Sequence, residues 1–361
     1  MTSINRRSSY LTLIVLTVLT LLLAACGKDG VKPANTVSEV SPGSAGQQSA
    51  TDASASPLQP DPIQIKIADI LTNPVLRIAK TKGFFDKYAI KAELVTFATP
   101  AEGINSLFIK QTDIAWGADF PILNAVSKGD YGIVAATGTN TDAAAAQWKL
   151  YVRDGIQQAQ DLKGKKLSTL RGTFLPYLWD EYLKANGLAA ADSQQIGQGG
   201  FDEAYVALKK GEIDASWVVG SAMIAKFADV QGIHELTDMS KTTVRIGGAI
   251  IASNDLIQAH PQGVANFLSA LDEASQFITA HPEETADILF KEVKQPKEAT
   301  LRDLPTNNWQ IGFKQESFDS LSGQKQYMVK DGIIKNDFDL KSKLSLDSLR
   351  KALPDRVTYG Q

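Results

Sequence analysis

The sequence predicts an α/β protein built from two doubly wound α/β lobes that are joined by a two-strand hinge. Short apolar runs alternate with helix-start signals from residue 63 onward, and the same arrangement recurs after residue 155. Beyond a leader of 25 residues, 336 residues remain, which is enough for two hydrophobic cores. We therefore expect a leader (1–25), a tether (26–62), a first lobe (63–154 and 243–361) and a second lobe (155–242).

The N-terminus is typical of a secretory signal. Arg6 and Arg7 form a charged start, and Leu11–Ala25 is an uncharged apolar run of 15 residues, too short to span a membrane comfortably. Small residues then precede Cys26 and Gly27, a pattern similar to the bacterial lipobox, in which the cysteine becomes lipidated. We therefore expect a signal peptide and a lipoprotein anchored at the extracytoplasmic face of the cell membrane, on its periplasmic or outer side.

The composition of residues 30–62 predicts a disordered tether. Gly, Ala, Ser and Pro supply 19 of these 33 residues and no aromatic residue occurs, so the segment cannot bury enough apolar area to fold. Cys26 is the chain's one cysteine, which excludes a disulfide, a zinc site or a cysteine nucleophile within the mature body. Loss of Arg6 and Arg7 changes the formal net charge from −3 to −5, which argues against nucleic acid as a partner.

The first lobe shows alternating strand and helix signals. Asn73 can cap a helix that carries Pro74 at its first position, and Thr99 to Glu102 form a capping box with Pro100 inside it. Asp119, Phe120 and Pro121 open another helix. We predict strands at 63–70, 93–97, 113–116 and 133–137.

The second lobe repeats this scheme. A strand, the Arg171-Gly172 turn and a helix capped by Thr173 would aim backbone N–H groups at one point, where an anionic ligand could bind. We predict strands at 167–170, 194–197 and 214–219, helices at 173–186 and 199–210, and helices starting at Pro261 and Pro282. Crossings between the lobes near residues 150 and 243 would form the hinge.

An internal echo supports two lobes of one design. At an offset of 101 residues, four identities recur in which a helix ends and an Asp-x-x-Trp sequence enters a strand. The pairs are Glu102 and Glu203, Leu107 and Leu208, Asp113 and Asp214, and Trp116 and Trp217.

Several segments make the chain similar to solute-binding lipoproteins of ABC importers, within the group that binds sulfonates, taurine, nitrate and thiamine-pyrimidine precursors. The likeness spans roughly 65–252. It rests on Ile78-Ala79-Lys80, Lys82-Gly83-Phe84-Phe85, Asp113-Ile114-Ala115, the segment 161–166 (DLKGKK) and the segment 204–214 (AYVALKKGEID). The resemblance implies a type II periplasmic-binding-protein-like fold, a small-molecule ligand, and a permease with a cytoplasmic ATPase as partners.

In sheets of this kind ligands bind outside the carboxyl ends of the strands, so the candidate site is formed by the loops that follow them. These loops offer hydroxyls, amides and aromatic rings with few charges, a set that suits a small anion held by neutral donors. The candidates are Thr72, Asn73, Thr99, Asp119, Phe120, Thr137, Asn140, Arg171, Thr173, Phe174, Tyr177, Trp217 and Ser221. Asn73, Thr99, Asp119 and Thr173 also suffice as plain helix caps, and Trp116 and Trp217 as core residues.

The charges near these loops favour different ligands. Arg171 favours a sulfonate or carboxylate head, whereas Asp69 and Asp119 would favour an amine or a ring N–H. The main hypothesis is a small organic anion such as an alkyl sulfonate, taurine or nitrate. The alternative is a pyrimidine or another heterocyclic vitamin precursor.

An enzyme is the third hypothesis, because some proteins of this fold synthesise the thiamine pyrimidine with their own histidine and cysteine residues and iron. Here the one cysteine is Cys26, and two of the three histidines, His260 and His281, precede prolines at helix starts. We therefore expect no catalytic residues, no metal and no cofactor. We also expect a monomer whose membrane contact is limited to its lipid anchor.

Overall fold

The computed structural model of the chain describes residues 62–70, 73–97, 100–138 and 141–360 and confirms an α/β fold with two sheets. The expectations for the leader, Cys26 and the tether up to residue 61 lie outside these described residues. Within the described ranges, every helix is too short or too polar to cross a membrane.

The strands are short and follow the predicted order. They are β1 (Ile63–Ile70), β2 (Ile90–Phe97), β3 (Ile114–Ala118), β4 (Tyr131–Thr137), β5 (Lys149–Arg153), β6 (Lys166–Leu170), β7 (Gln194–Gln198), β8 (Ala215–Val218), β9 (Ile233–Asp238), β10 (Gly248–Ser253) and β11 (Ile311–Gly312).

The helices lie between and after these strands. They are α1 (Pro74–Thr81), α2 (Phe84–Lys87), α3 (Pro100–Phe108), α4 (Asp119–Lys128), α5 (Asp142–Ala145), α6 (Leu175–Ala185), α7 (Phe201–Lys210), α8 (Ser221–Ala228), α9 (Asn254–Ala259), α10 (Pro261–Ala280), α11 (Pro282–Val293), α12 (Lys297–Asp303), α13 (Gln315–Lys330) and α14 (Asp347–Ala352).

The first sheet has the strand order β2-β1-β3-β10-β4-β11. Strands β1, β2 and β3 are parallel, whereas β10 is antiparallel to its neighbours β3 and β4. Helices cover both faces: Ala68 of β1 lies against α3 near Gly103, and Ile63 lies against α10 at Gly263. A side chain at Gly263 would place its Cβ 2.6 Å from Ile63, so only glycine allows this approach. We call this sheet with its helices, including α10 to α14, the first lobe.

The second sheet has the order β7-β6-β8-β5-β9 and repeats the same plan. Strands β6, β7 and β8 are parallel, and β5 is antiparallel to β8 and β9. On one face Trp217 packs against Trp179 and Tyr182 of α6, and on the other Tyr151 packs against Phe227 of α8. We call this sheet with α6, α7 and α8 the second lobe.

The pattern that recurs at an offset of 101 residues in the sequence has a structural cause. Asp113 accepts a hydrogen bond from the Lys66 N–H at 2.7 Å, and its own N–H donates to the Lys66 carbonyl at 2.7 Å. Asp214 makes the equivalent pair with Lys166, at 2.9 and 2.7 Å. In both lobes this aspartate therefore fixes where the third parallel strand starts beside the first.

Four strands, β5, β9, β10 and β11, were not predicted. Lys149–Arg153 forms β5 and pairs within the second sheet, although the predicted division placed it with the first lobe. Ile233–Asp238 forms β9, and its half-exposed side chains explain why no apolar alternation marks it. The remaining boundaries of the predicted domain division stay a prediction.

Asp214→Ala should lower the free energy of unfolding by about 1–2 kcal/mol, because the Lys166 N–H at the strand start loses its charged acceptor. The measurement is urea unfolding followed by circular dichroism. The matched control is Glu212→Ala two residues earlier, whose one ion pair, with Lys210, is exposed and 3.9 Å long. The control should stay within about 0.5 kcal/mol of the parent. Equal effects of both substitutions would contradict the role of Asp214.

Candidate functional site

The chain crosses between the lobes at the same edge of both sheets. The first crossing (138–148) leaves the carboxyl end of β4 and enters β5 beside the carboxyl end of β8, because Lys149 pairs with Val218. The second crossing (239–247) leaves the carboxyl end of β9 and enters β10 beside the carboxyl end of β3. The two carboxyl edges, where ligands bind in such sheets, are therefore joined to each other.

The two crossings are bonded side by side. The Met239 N–H donates to the Trp148 carbonyl at 2.9 Å, and Arg245 Nε donates to Asp142 Oδ1 at 2.8 Å. These segments are the crossings that were expected near residues 150 and 243, and their bending as a hinge stays a prediction.

The first contact between the lobes involves Ser221, a predicted site residue. Ser221 begins α8, and its N–H donates to the Asp303 carboxylate of α12 at 3.1 Å, with a further bond from the Ser221 hydroxyl. A carboxylate of the first lobe thus occupies the helix start of the second lobe, where the dipole and the free N–H groups favour a negative charge.

Tyr177 forms the second contact. Its ring centroid lies 5.0 Å from that of Tyr327 on α13. Burial, together with the nearby carboxylates of Asp180 on α6 and Asp331, raises the pKa of Tyr327. Burial and the nearby Asp331 also raise the pKa of Asp180. The two lobes therefore meet around a protonated tyrosine hydroxyl.

The third contact brings together the Arg171-Gly172-Thr173 turn and α3. A Cβ on Gly172 would lie 3.2 Å from the Ala101 Cβ, and its φ of 73° suits glycine. Arg171 is exposed, its Nη2 donates to the Gly197 carbonyl at 2.9 Å, and no carboxylate of the described residues pairs with it. The Thr173 hydroxyl donates to the Leu170 carbonyl at 2.8 Å and accepts the Leu175 N–H at 3.3 Å.

Two helix starts differ from prediction. Helix α6 begins at Leu175 with Phe174, not Thr173, at the capping position, because Thr173 is still bonded to the end of β6. Helix α4 begins at Asp119 itself, with Ala118 at the capping position and no side-chain cap. Asp119 therefore has a role other than capping.

Asp119 lies at a junction of three chain segments. Its Oδ2 accepts hydrogen bonds from the Gly247 N–H (2.9 Å), the Ser320 hydroxyl (2.6 Å) and Gln324 Nε2 (2.8 Å). Burial raises the pKa of Asp119, and these three bonds oppose the rise. This carboxylate thus fixes the second crossing and α13 against the carboxyl end of β3.

Asp69, which was considered as an amine partner, is also bonded internally. It is fully buried near the end of β1 and forms an ion pair with Arg77 of α1. Burial raises the pKa of Asp69 to about 6, and the Arg77 guanidinium opposes the rise, so the carboxyl is ionised at neutral pH. Asp69 is paired with Arg77, and Asp119 is buried and bonded to three donors of the protein itself, so neither carboxylate is exposed to an amine ligand.

The other predicted residues fall into three groups. Trp217 is fully buried between the sheet and α6, and Phe120 and Phe174 are 5% and 3% exposed, so their packing favours a core role. The buried Asn73 caps α1 through the Val75 N–H at 3.0 Å, and the buried Thr137 hydroxyl lies where a Cβ on Gly248 would come within 2.7 Å. The expectations for Thr72, Thr99 and Asn140 lie outside the described residues. A ligand role for the whole predicted set stays a prediction.

The sequence did not predict three residues that lie at this site but come from distant parts of the chain, namely Trp148, Asp303 and Tyr327. Trp148 ends the first crossing, with its ring centroid 4.8 Å from that of Phe174 and 6.0 Å from that of Phe201. Asp303 and Tyr327 come from the C-terminal helices. A tryptophan directly before an apolar run could have indicated a strand at 149–153, but no local signal marks Asp303.

Comparison with known proteins gives one family match. The profile described as NMT1/THI5-like matches residues 75–285. A Bacillus subtilis protein, provisionally named an aliphatic sulfonates-binding protein, is 25% identical over 357 residues, which cover 96% of this chain and 98% of that protein.

Solved structures share the fold. The periplasmic aliphatic sulphonate-binding protein SsuA of Escherichia coli matches with a TM-score of 0.67 at 17% identity, over 79% of this chain and 92% of that one. The alkanesulfonate-binding protein SsuA of Xanthomonas axonopodis pv. citri, bound to MOPS, matches with a TM-score of 0.68 at 17% identity, over 78% and 98%. The desulfurization enzyme DSZB matches with a TM-score of 0.59 at 13% identity, over 81% and 99%.

Asp119→Ala should lower the free energy of unfolding by about 2–4 kcal/mol, because three donors at the junction lose their acceptor. Asp119→Asn keeps an acceptor oxygen and should restore part of the loss. The control is Asp319→Ala on the exposed side of α13, where the side chain accepts only from Gln315. The measurement is the free energy of unfolding from chemical denaturation. Equal free energies for Asp119→Ala and Asp319→Ala would contradict the stabilising role of Asp119.

Proposed function

The chain belongs to the NMT1/THI5-like family, and from this premise we propose that it is the extracytoplasmic solute-binding component of an ABC importer. It binds a small organic anion of the alkyl sulfonate, taurine or nitrate type between its two lobes and delivers it to a membrane permease. The permease and its cytoplasmic ATPase supply the transport energy, so this chain performs no chemistry. The sulfonate-binding names of the B. subtilis relative and of the SsuA structures support this ligand class.

The observation that supports this proposal is which charged side chains at the facing sheet edges are already bonded within the protein. Asp69 and Asp119 are both bonded within the protein, whereas the Arg171 guanidinium is exposed and has no carboxylate partner among the described residues. Arg171 also has further N–H donors in the planar arrangement that suits a sulfonate or carboxylate head. The site therefore favours an anion over an amine. A pyrimidine or another heterocyclic precursor is the second candidate, favoured by the aromatic residues at the same edge.

The same fold occurs in the desulfurization enzyme DSZB, so fold alone does not decide between binding and catalysis. Here the single cysteine of the sequence is Cys26, in the segment that we propose carries the lipid. A cysteine nucleophile in the mature body is therefore excluded. This supports a binding protein over an enzyme that uses cysteine chemistry.

The proposed location follows from the leader. Residues 1–25 act as a signal peptide, Cys26 receives the lipid, and residues 26–62 tether the folded body to the outer face of the membrane. The body, a monomer with no cofactor, would thereby stay close to its permease.

Sulfonates should stabilise the purified full-length protein. At one hundred times its dissociation constant, a true ligand adds about 2.7 kcal/mol to the free energy of unfolding. Thermal-shift measurements should therefore show a rise with methane-, ethane- and butanesulfonate. The matched alkylamines, which have the same tails and the opposite charge, should give none. Stabilisation by a pyrimidine with no response to any sulfonate or nitrate would replace the main proposal by its alternative.

Loss of the contact between Ser221 and Asp303 should weaken ligand binding, because this contact joins the two lobes on either side of the proposed site. Asp303→Ala removes a charged acceptor from the Ser221 N–H and should raise the dissociation constant roughly fivefold, which corresponds to about 1 kcal/mol. Isothermal titration calorimetry with the best sulfonate measures this change. Glu298→Ala, an exposed position on the same helix α12, is the control and should leave the constant unchanged. An unaltered constant in Asp303→Ala would show that this contact does not contribute to closure.

A further inference from the structure

The tryptophans of the chain differ in exposure. Trp179 and Trp217 are fully buried and Trp116 is 8% exposed, whereas Trp148 and Trp309 are only partly buried. Trp148 is the last residue of the first crossing, directly before β5. It therefore lies at the carboxyl edge of the second sheet, which the crossings join to the carboxyl edge of the first.

Trp148 and Phe201, which are both partly buried, form an aromatic wall that is backed by the buried Phe174. The ring centroid of Trp148 lies 4.8 Å from that of Phe174, with the planes at 85°, and 6.0 Å from that of Phe201. Phe174 directly precedes α6 and Phe201 begins α7, so both rings come from the loops that follow parallel strands of the second sheet. The wall is thus built from three separate segments at one sheet edge.

The position of Trp148 is fixed by its backbone. Its N–H donates to the Ala145 carbonyl at 3.0 Å, and its carbonyl accepts the Met239 N–H of the second crossing at 2.9 Å. An aromatic side chain loses little conformational entropy on binding because it has only two rotatable angles. A partly exposed tryptophan held in this way offers apolar contact area to a ligand between the lobes, with little loss of conformational entropy on binding.

The cation of the proposed site lies at the same edge. Arg171 precedes Phe174 by three residues, and its guanidinium extends over the end of β7, where it bonds to the Gly197 carbonyl and lies near Gly199. Phe201 follows two residues later. One edge of the second lobe therefore presents an apolar wall and an exposed guanidinium that has no carboxylate partner among the described residues, within one group of loops.

We propose that this wall takes the apolar tail of the ligand while Arg171 meets its anionic head, so that Trp148 determines the specificity for tail size. The inference rests on the proposed function and narrows it. The preferred substrates are sulfonates that carry a longer alkyl or an aryl group, rather than nitrate, taurine or methanesulfonate. Burial of each additional methylene against the wall multiplies the affinity roughly fourfold until the wall is covered.

The test is calorimetric titration of the full-length protein with a series from methanesulfonate to hexanesulfonate and with benzenesulfonate. In the parent protein, affinity should rise roughly threefold to fourfold per methylene over the first additions. Trp148→Ala should reduce this increment to less than about twofold per methylene, while methanesulfonate affinity changes by less than about threefold. Trp148→Phe should retain most of the increment. Phe290→Ala, which removes a 46% exposed ring on α11, is the control and should behave as the parent.

The possible outcomes distinguish a failure of the aromatic-wall proposal from a failure of the proposed function. A parent protein that binds every sulfonate with the same affinity overturns the wall and leaves the proposed function intact. An undiminished increment in Trp148→Ala also overturns it, because the tail then rests elsewhere. A parent that binds no sulfonate contradicts the proposed function itself. Thermal unfolding of Trp148→Phe and Trp148→Ala verifies that both variants are folded. If the alanine variant is not, Trp148→Gln takes its place, because it keeps a long side chain but removes the apolar ring, and an undiminished increment in that variant overturns the wall.

Discussion

The architecture depends on strands that run against an otherwise parallel set: β5 in the second sheet, and β10 in the first, which also has the two-residue β11 at its edge. Parallel strands joined by helices always return the chain to the amino edge of a sheet, so a second lobe attached in this way would face away from the ligand edge. Strand β5 runs against β8, and β10 runs against β3 and β4. This reversal lets both crossings start and finish at carboxyl edges. Everything that we assign to the site, from Arg171 to Trp148, lies where these reversals bring the two edges together.

Closure of the lobes and occupation of the site use the same residues. Ser221 and Tyr177, whose ligand contacts stay a prediction, contact Asp303 and Tyr327 of the first lobe. The carboxylate of Asp303 satisfies a helix start in the way that a bound anion does. Loops that present donors to a ligand can therefore also hold the lobes together. The bond between Met239 and Trp148 keeps the two crossings side by side, so relative motion of the lobes is concentrated in two short segments.

Most helices and strands were predicted from the sequence because the interactions that start and stop them involve residues close together in the chain. The alternation over β1, the Asn73 cap with Pro74, and the proline-led helices α10 and α11 all need only a few neighbouring residues. Strand β9 was missed because its side chains are half-exposed on both faces. Asp119 was interpreted as a cap because its true partners, Gly247, Ser320 and Gln324, lie more than a hundred residues away. The choice among caps, core residues and ligand contacts depends on tertiary distances that a single sequence does not contain.

The placement of β10 also has a consequence for how the chain folds. All strands of the second sheet lie between residues 149 and 238 without interruption, whereas β3 and β4 share β10, which arrives only at residues 248–253. A chain that emerges from its amino end can therefore complete the second sheet first. Until residue 253 is available, β3 and β4 keep unpaired edges, and open strand edges invite aggregation. The gap between β3 and β4 thus stays open for more than a hundred residues after β4 until β10 fills it, and the outer edge of β4 pairs later still, with β11.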